Sequence, residues 1–181
     1  GYLTPERWRE AADNRNRIYQ SIFTKVYSRD RRAGKPAFRH VGEDAFFTLM
    51  ECLGLATWAG GGRTGGEKEF EVLRGIHAAG ERERTFKKLS NADLESVAVQ
   101  FYTRRELGVE GYEFIHKSFG EYLIARALVA AAERRSKALA DNGERNVAER
   151  WVEIAGLAEV TPEILAFLRD EVRLMAPPVA A

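Results

Sequence analysis

Cysteine is nearly absent from this chain. Cys52 stands alone among 181 residues, so no disulfide can form within it. The chain must be held by a core instead, and it is long enough to bury one. A reducing, cytoplasmic setting is the expectation. Histidine is scarce as well. His40, His77 and His116 lie far apart, and with one cysteine no pair has zinc-ligand spacing, so no metal site is expected. Long hydrophobic runs are missing. The longest low-charge stretch of the second half, Leu123 to Ala132, is broken by Arg126 and is too short for a bilayer. No signal peptide is visible. Neither sign of charge dominates: 28 Lys and Arg stand against 27 Asp and Glu. That argues against a strong, unspecific nucleic-acid binder, which carries a large basic excess, while leaving room for a local basic patch.

What remains is the composition of a soluble globular protein, 45% hydrophobic and 30% charged. The length suits one domain or two small ones. The chain opens on Gly1 rather than Met, as expected of a piece cut from a longer protein.

The hydrophobic spacing is mostly helical. Thr4-Pro5-Glu6 has the chemistry of a helix start: a capping hydroxyl, proline at the first helical position, and an acid in the first turn. The polar stretch Asp13 to Asn16 either breaks that helix or restarts it. Ile18, Tyr19, Ile22, Phe23, Val26 and Tyr27 then recur at helical spacing, up to a loop at Gly34 and Pro36. A helix is predicted from Glu43 to Trp58, and another from Glu67 to Ala79. Between them "AGGGRTGG", Ala59 to Gly66, predicts a flexible loop. Ser90 to Asp93 resembles a short helix start. From Val97 the period changes to two, and Tyr112 to Ile115 alternates again beyond a turn at Gly108 to Gly111, which predicts a β-hairpin. Ser118 and Glu121 then form S-x-x-E, a capping box for the next helix. Asp141-x-x-Glu144 predicts a further cap, for a helix running to about Gly156. Thr161-Pro162-Glu163 predicts the cap of the last helix, with Ile164, Leu165, Leu168 and Val172 as its apolar positions.

Several stretches suggest chemistry and are better explained by structure. "GGGRTGGEK" places Gly61 and Gly66 at phosphate-loop separation, but Glu67 takes the lysine position and Lys68 the hydroxyl position, and a helix rather than a strand precedes it. Ser118 lies two residues after His116, yet no nucleophile elbow surrounds it. Cys52 falls on an apolar helical face. Trp8, Trp58 and Trp151 read as core residues. Arg29 to Arg32, "RDRR", has the charge to touch phosphates, but a solvated helix end is the commoner reading. His116, taken by itself, reads as a half-buried histidine bridging strand and helix.

"YEFIHKSFGEYLIARAL", Tyr112 to Leu128, shifts that balance. Phe114, His116, Ser118, Phe119, Glu121, Tyr122 and Ala125 resemble the segment that closes the winged helix of NACHT-type signalling NTPases, members of the STAND class of molecular switches. In that pattern an aromatic or aliphatic residue is followed by His, Ser or Thr, an aromatic, an acid, Tyr or Phe, and Ala. Gly120 departs from it, where Gln is common. Upstream, "NRNRIYQSIFTKVYSRDR" is similar to the family's N-R-x-x-L-Y helix, and "EDAFFTLMECLGLATW" to its first winged-helix helix. The likeness covers roughly residues 14 to 132.

The resemblance implies that His116 reaches the β-phosphate of ADP and keeps the switch closed; Lys117 beside it is a candidate second phosphate contact, with an exposed lysine the commoner reading. ADP or ATP with magnesium would be held by a nucleotide-binding core upstream in the same polypeptide. No G-x-x-x-x-G-K-[ST] and no apolar run ending in two acids occurs here, so this chain alone should not hydrolyse ATP.

The expected fold class is mainly α with one small β-hairpin. A helical segment over 1–36 precedes a winged-helix-like domain over 37–132, with its hairpin at about 97–115; a helical extension over 133–176 and a tail over 177–181 follow. The expected function is the regulatory lid of a nucleotide-dependent switch that controls activation or self-association. The alternative is a stand-alone winged-helix or helical module binding protein or DNA, which a salt-dependent shift on duplex DNA would reveal. The resemblance implies a signalling role, with defence among its outputs.

Overall fold

A computed structural model describes residues 13–39, 41–61, 64–77, 96–97, 103–104, 111–142, 151–156 and 158–175. The chain is mainly α with one small β-hairpin. Residue 13 is helical and residue 14 is not, so the polar stretch restarts a helix. Asn14 Oδ1 accepts the Asn16 amide at 3.0 Å, and α1 (Asn16–Arg32) follows. After a turn at Gly34, whose φ of 70° suits glycine, comes the short α2 (Pro36–Arg39). Helix α3 (Glu43–Ala59) starts with two acids, which complement the helix dipole. Every residue from Ala45 to Trp58 is buried. A helix buried all round is the axis of a core rather than one of its sides.

The glycine stretch departs from the expected flexible loop. Thr64–Gly66 is a strand, β1, and it leads straight into α4 (Glu67–His77). Gly65 is pressed against α3. A Cβ there would lie 2.5 Å from the carbonyl carbon of Ala56 and the amide nitrogen of Thr57. Glycine serves here for close backbone approach, not for mobility.

Strands β2 (Thr103–Arg104) and β3 (Gly111–Phe114) complete an antiparallel sheet in the order β1-β3-β2. Thr103 pairs with Phe114 on one side of β3, and Gly65 pairs with Tyr112 on the other. The predicted hairpin is present, but its first arm does not start at Val97, because Ser96 and Val97 are helical and Val97 is fully buried. Val97 therefore fills the core from a helix and does not begin the strand. Val99 and Phe101, the helix start at Ser90, Gly80 and the Gly108 turn lie outside the described residues. The order helix, strand, helix, hairpin, with the first strand paired to the hairpin's second arm, is winged-helix-like, flanked by helical segments.

Helix α5 (Lys117–Asn142) corrects two expected caps. It begins at Lys117, so Ser118 lies inside the first turn. The carbonyl of His116 already accepts the Phe119 amide at 3.0 Å. Glu121 meets Lys117, one turn back, rather than closing a capping box. At its far end the helix continues through Asn142, so Asp141 is inside it; the alanine-rich stretch before it has high helix propensity. Residues 151–155 are helical, with Ile154 buried.

Helix α6 (Pro162–Met175) is capped as predicted, with the Ile164 amide donating to Thr161 Oγ1 at 3.2 Å. Its inward face is the expected one only in part, with Ile164 and Leu168 turned to the core. Ile164 and Phe167 are buried, whereas Leu165 and Val172 are 54% and 56% exposed. The helix is turned so that its carboxylates reach α1. Asn14 Nδ2 donates to the Asp170 carbonyl at 2.7 Å, Arg15 pairs with the Asp170 carboxylate at 3.1 Å, and Asn16 Nδ2 reaches Glu171 Oε2 at 2.7 Å. The Arg15 guanidinium also lies 4.0 Å from the centre of the Phe167 ring.

Helix α5 packs against both α3 and α6. Among the described residues no helix is long and apolar enough to cross a membrane.

Candidate functional site

The junction of β3 and α5 is built from anchored side chains around one exposed histidine. Phe114 ends the strand and is buried. Tyr122 and Ala125 are fully buried in the first turns of α5. Tyr122 stacks on Tyr19 at 5.3 Å and on Phe23 at 6.0 Å, and Phe119 meets the same two rings edge-on at 5.7 and 5.6 Å. The aromatic positions of the motif therefore seat α5 on α1. Gly120 is buried, and a Cβ there would come within 3.2 Å of the Phe114 ring. The glycine lets the strand's last side chain lie against the helix.

His116 itself is exposed. Its ring stands edge-on to Phe119 with centroids 5.8 Å apart. Among the described residues it makes no ring hydrogen bond and no ion pair, so it does not bridge strand and helix. Lys117 Nζ is 3.2 Å from Glu121 Oε1, on a side chain 65% exposed. Ser118 is half-buried in the first turn.

A cavity of about 610 Å3 opens beside this junction, between the end of α3, the β3–α5 corner and the start of α6. Ile115 and Lys117 line it. His116, between them in sequence, does not line it and packs its ring against Phe119.

The structure also assembles a buried charge cluster that spacing did not reveal. Glu51 on α3 and His77 on α4 are 3% and 2% exposed, and His77 Nε2 is 2.7 Å from Glu51 Oε2. Arg134 Nη2 lies 2.8 Å from His77 Nδ1. A guanidinium has no acceptor, so Nδ1 accepts and Nε2–H donates to Glu51. Arg126 Nε donates to the other Glu51 oxygen at 2.9 Å. Burial pushes the Glu51 carboxyl up, but the His77 hydrogen bond and the charges of Arg126 and Arg134 outweigh it and hold its pKa below the ordinary range. The Arg126 guanidinium also sits 4.3 Å from the centre of the Phe47 ring. Two signals for this cluster were present in the sequence: Glu51 is a lone acid inside an apolar helix, and Arg126 interrupts an otherwise low-charge stretch.

The remaining candidates separate cleanly. Cys52 is fully buried, and desolvation pushes its thiol well above the ordinary range, so it is inert. Asp30, inside "RDRR", is buried; Arg29 at 2.9 Å and Lys35 at 3.1 Å hold its carboxyl low against the upward push of burial. That basic stretch is thus partly spent within the chain. Trp58 is core, and its indole donates to the Glu159 carbonyl at 2.9 Å. Trp151 packs against the core half-buried. Trp8 and His40 lie outside the described residues. Among the described residues no group of three or more His, Cys, Asp or Glu is placed to hold a metal ion.

The class these observations define is a winged-helix-like domain with helical flanks and an exposed histidine at its strand–helix corner. No family model, curated protein or solved structure matches the chain.

Proposed function

We propose that this chain is the regulatory winged-helix and helical part of a NACHT-type nucleotide switch in the cytoplasm. It would close over ADP held by a nucleotide-binding core in the same polypeptide and so control activation or self-association. The observation that carries this reading is His116: its neighbours Phe114, Phe119 and Tyr122 are anchored in the fold, while its imidazole is exposed and makes no hydrogen bond or ion pair among the described residues. A histidine kept for packing would be buried or hydrogen-bonded. One held at a rigid corner with a free N–H fits an acceptor that comes from outside, and charge-assisted bonds to phosphate are the strong kind. Lys117 is engaged with Glu121, so it contributes to a phosphate only by leaving that pair.

ADP and ATP with magnesium would be bound by the core, and this chain would supply the closing contact. ADP favours the closed state to the extent that its affinity for the two states differs. In the intact protein, His116→Ala should speed ADP release and raise basal activity. Stopped-flow displacement of a fluorescent ADP measures this directly, and an unchanged off-rate would sink the reading.

A further inference from the structure

We infer that the cavity beside the His116 corner binds a small organic cation with an aliphatic body, an alkyl guanidinium or ammonium; this goes beyond the nucleotide reading and does not depend on it. The volume of about 610 Å3 falls within the roughly 300–1,000 Å3 typical of small-ligand sites. Trp58, Ile124 and Ile164 give it an apolar wall. Its charge is one-sided. Among the described lining residues, Glu121 and Glu159 are acids beside the one cation, Lys117, and Glu113, a third acid, is engaged elsewhere. Such a cleft repels phosphates and carboxylates and concentrates cations.

Glu121 decides the chemistry. Its side chain is only 8% exposed, one turn into α5. Its Oε1 is enclosed and accepts no hydrogen bond among the described groups. An enclosed carboxylate oxygen left in that state is costly. Lys117 Nζ stands 3.2 Å from it, yet off hydrogen-bond geometry and on a side chain 65% exposed. It is a loosely held counter-ion that solvent can readily take. A guanidinium offers a planar fork of N–H donors that matches both oxygens of a carboxylate. Its alkyl stem would lie along the apolar wall. Binding would exchange the Lys117 ammonium for that of the ligand.

Calorimetric titration of the chain with agmatine, and with pentanoate as an anion of similar body, tests the inference. Agmatine should bind saturably and pentanoate should not, with amide shifts centred on Gly120, Glu121 and Ile124. Glu121→Gln should weaken agmatine about tenfold or more, and Lys117→Ala, which removes an exposed competitor, should tighten it. Lys117→Ala keeps the test decisive if the Glu121 variant fails to fold. No saturable agmatine binding up to about 10 mM, or unchanged or weaker binding in Lys117→Ala, overturns the proposal.

Discussion

Glu51 shows what a single side chain can decide. It lies in a helix buried from Ala45 to Trp58, and it stays charged because His77 and Arg126 saturate its two oxygens. Removing one partner strands a buried charge, and such losses cost about 3–5 kcal/mol. Arg126 is a quarter exposed, so water can replace part of what it provides. Arg126→Ala should therefore fall at or below the lower end of that range in urea denaturation. His77→Ala, which strips a fully enclosed partner, should cost more. The pH dependence has a definite sign. Glu51 and Asp30 have folded pKa values below their ordinary 4.5 and 3.8. Their stabilisation is present at neutral pH and is lost as pH falls through the folded values. Glu171 runs the other way: burial raises it above 4.5, so its contribution is present in acid and is lost as pH rises through the raised value. Urea midpoints should fall below about pH 4, and Glu51→Gln should flatten that fall. Cys52 is testable with a thiol reagent: it should remain unlabelled in the folded chain and react on unfolding.

At the scale of elements, α1 and α6 are joined by a polar clasp that spans the described chain from end to end. Asn14, Arg15 and Asn16 each bind α6, and Asn16 also reaches the Phe167 carbonyl at 3.0 Å. Asn16 is fully buried, so Asn16→Ala leaves α6 groups without a donor and should cost about 1–3 kcal/mol. Amide exchange should then speed up in α6 before it does in α3. Arg15→Ala, with a partly exposed side chain, should do less. Strand β1 offers the opposite case, where a side chain cannot be added. Gly65→Val would drive its Cβ into the α3 backbone, and its loss of stability should be larger than that of the same change at the exposed Gly61 corrected for the latter's φ of 90°. The aromatic layer of Tyr19, Phe23, Phe119 and Tyr122 is what aligns α5 with α1, so the His116 corner inherits its position from packing two turns away.

Across the whole molecule, α1, α3, α5 and α6 share one continuous buried cluster. A closing contact at His116 would therefore be transmitted as the motion of a packed body, not of a loop. That expectation belongs to the proposed switch, and the ADP off-rate of His116→Ala remains its direct test.

Much of the architecture was legible in the residues alone. Helices α3, α4 and α6 follow from apolar spacing and, at Thr161, from capping chemistry, because these are local properties of consecutive side chains. The strand–helix corner that carries His116 was legible for the same reason. Three things were decided only by tertiary structure. The glycine stretch became an edge strand because α3 and β3 offered it a backbone partner and no room for side chains. Helix α6 turned Leu165 and Val172 outward because Asp170 and Glu171 had partners on α1, some 150 residues earlier in the chain. The Glu51 cluster formed from helices that no sequence spacing relates. Local propensity is written in neighbours, whereas the pairing of buried charges and the choice of an inward face depend on which distant surfaces meet.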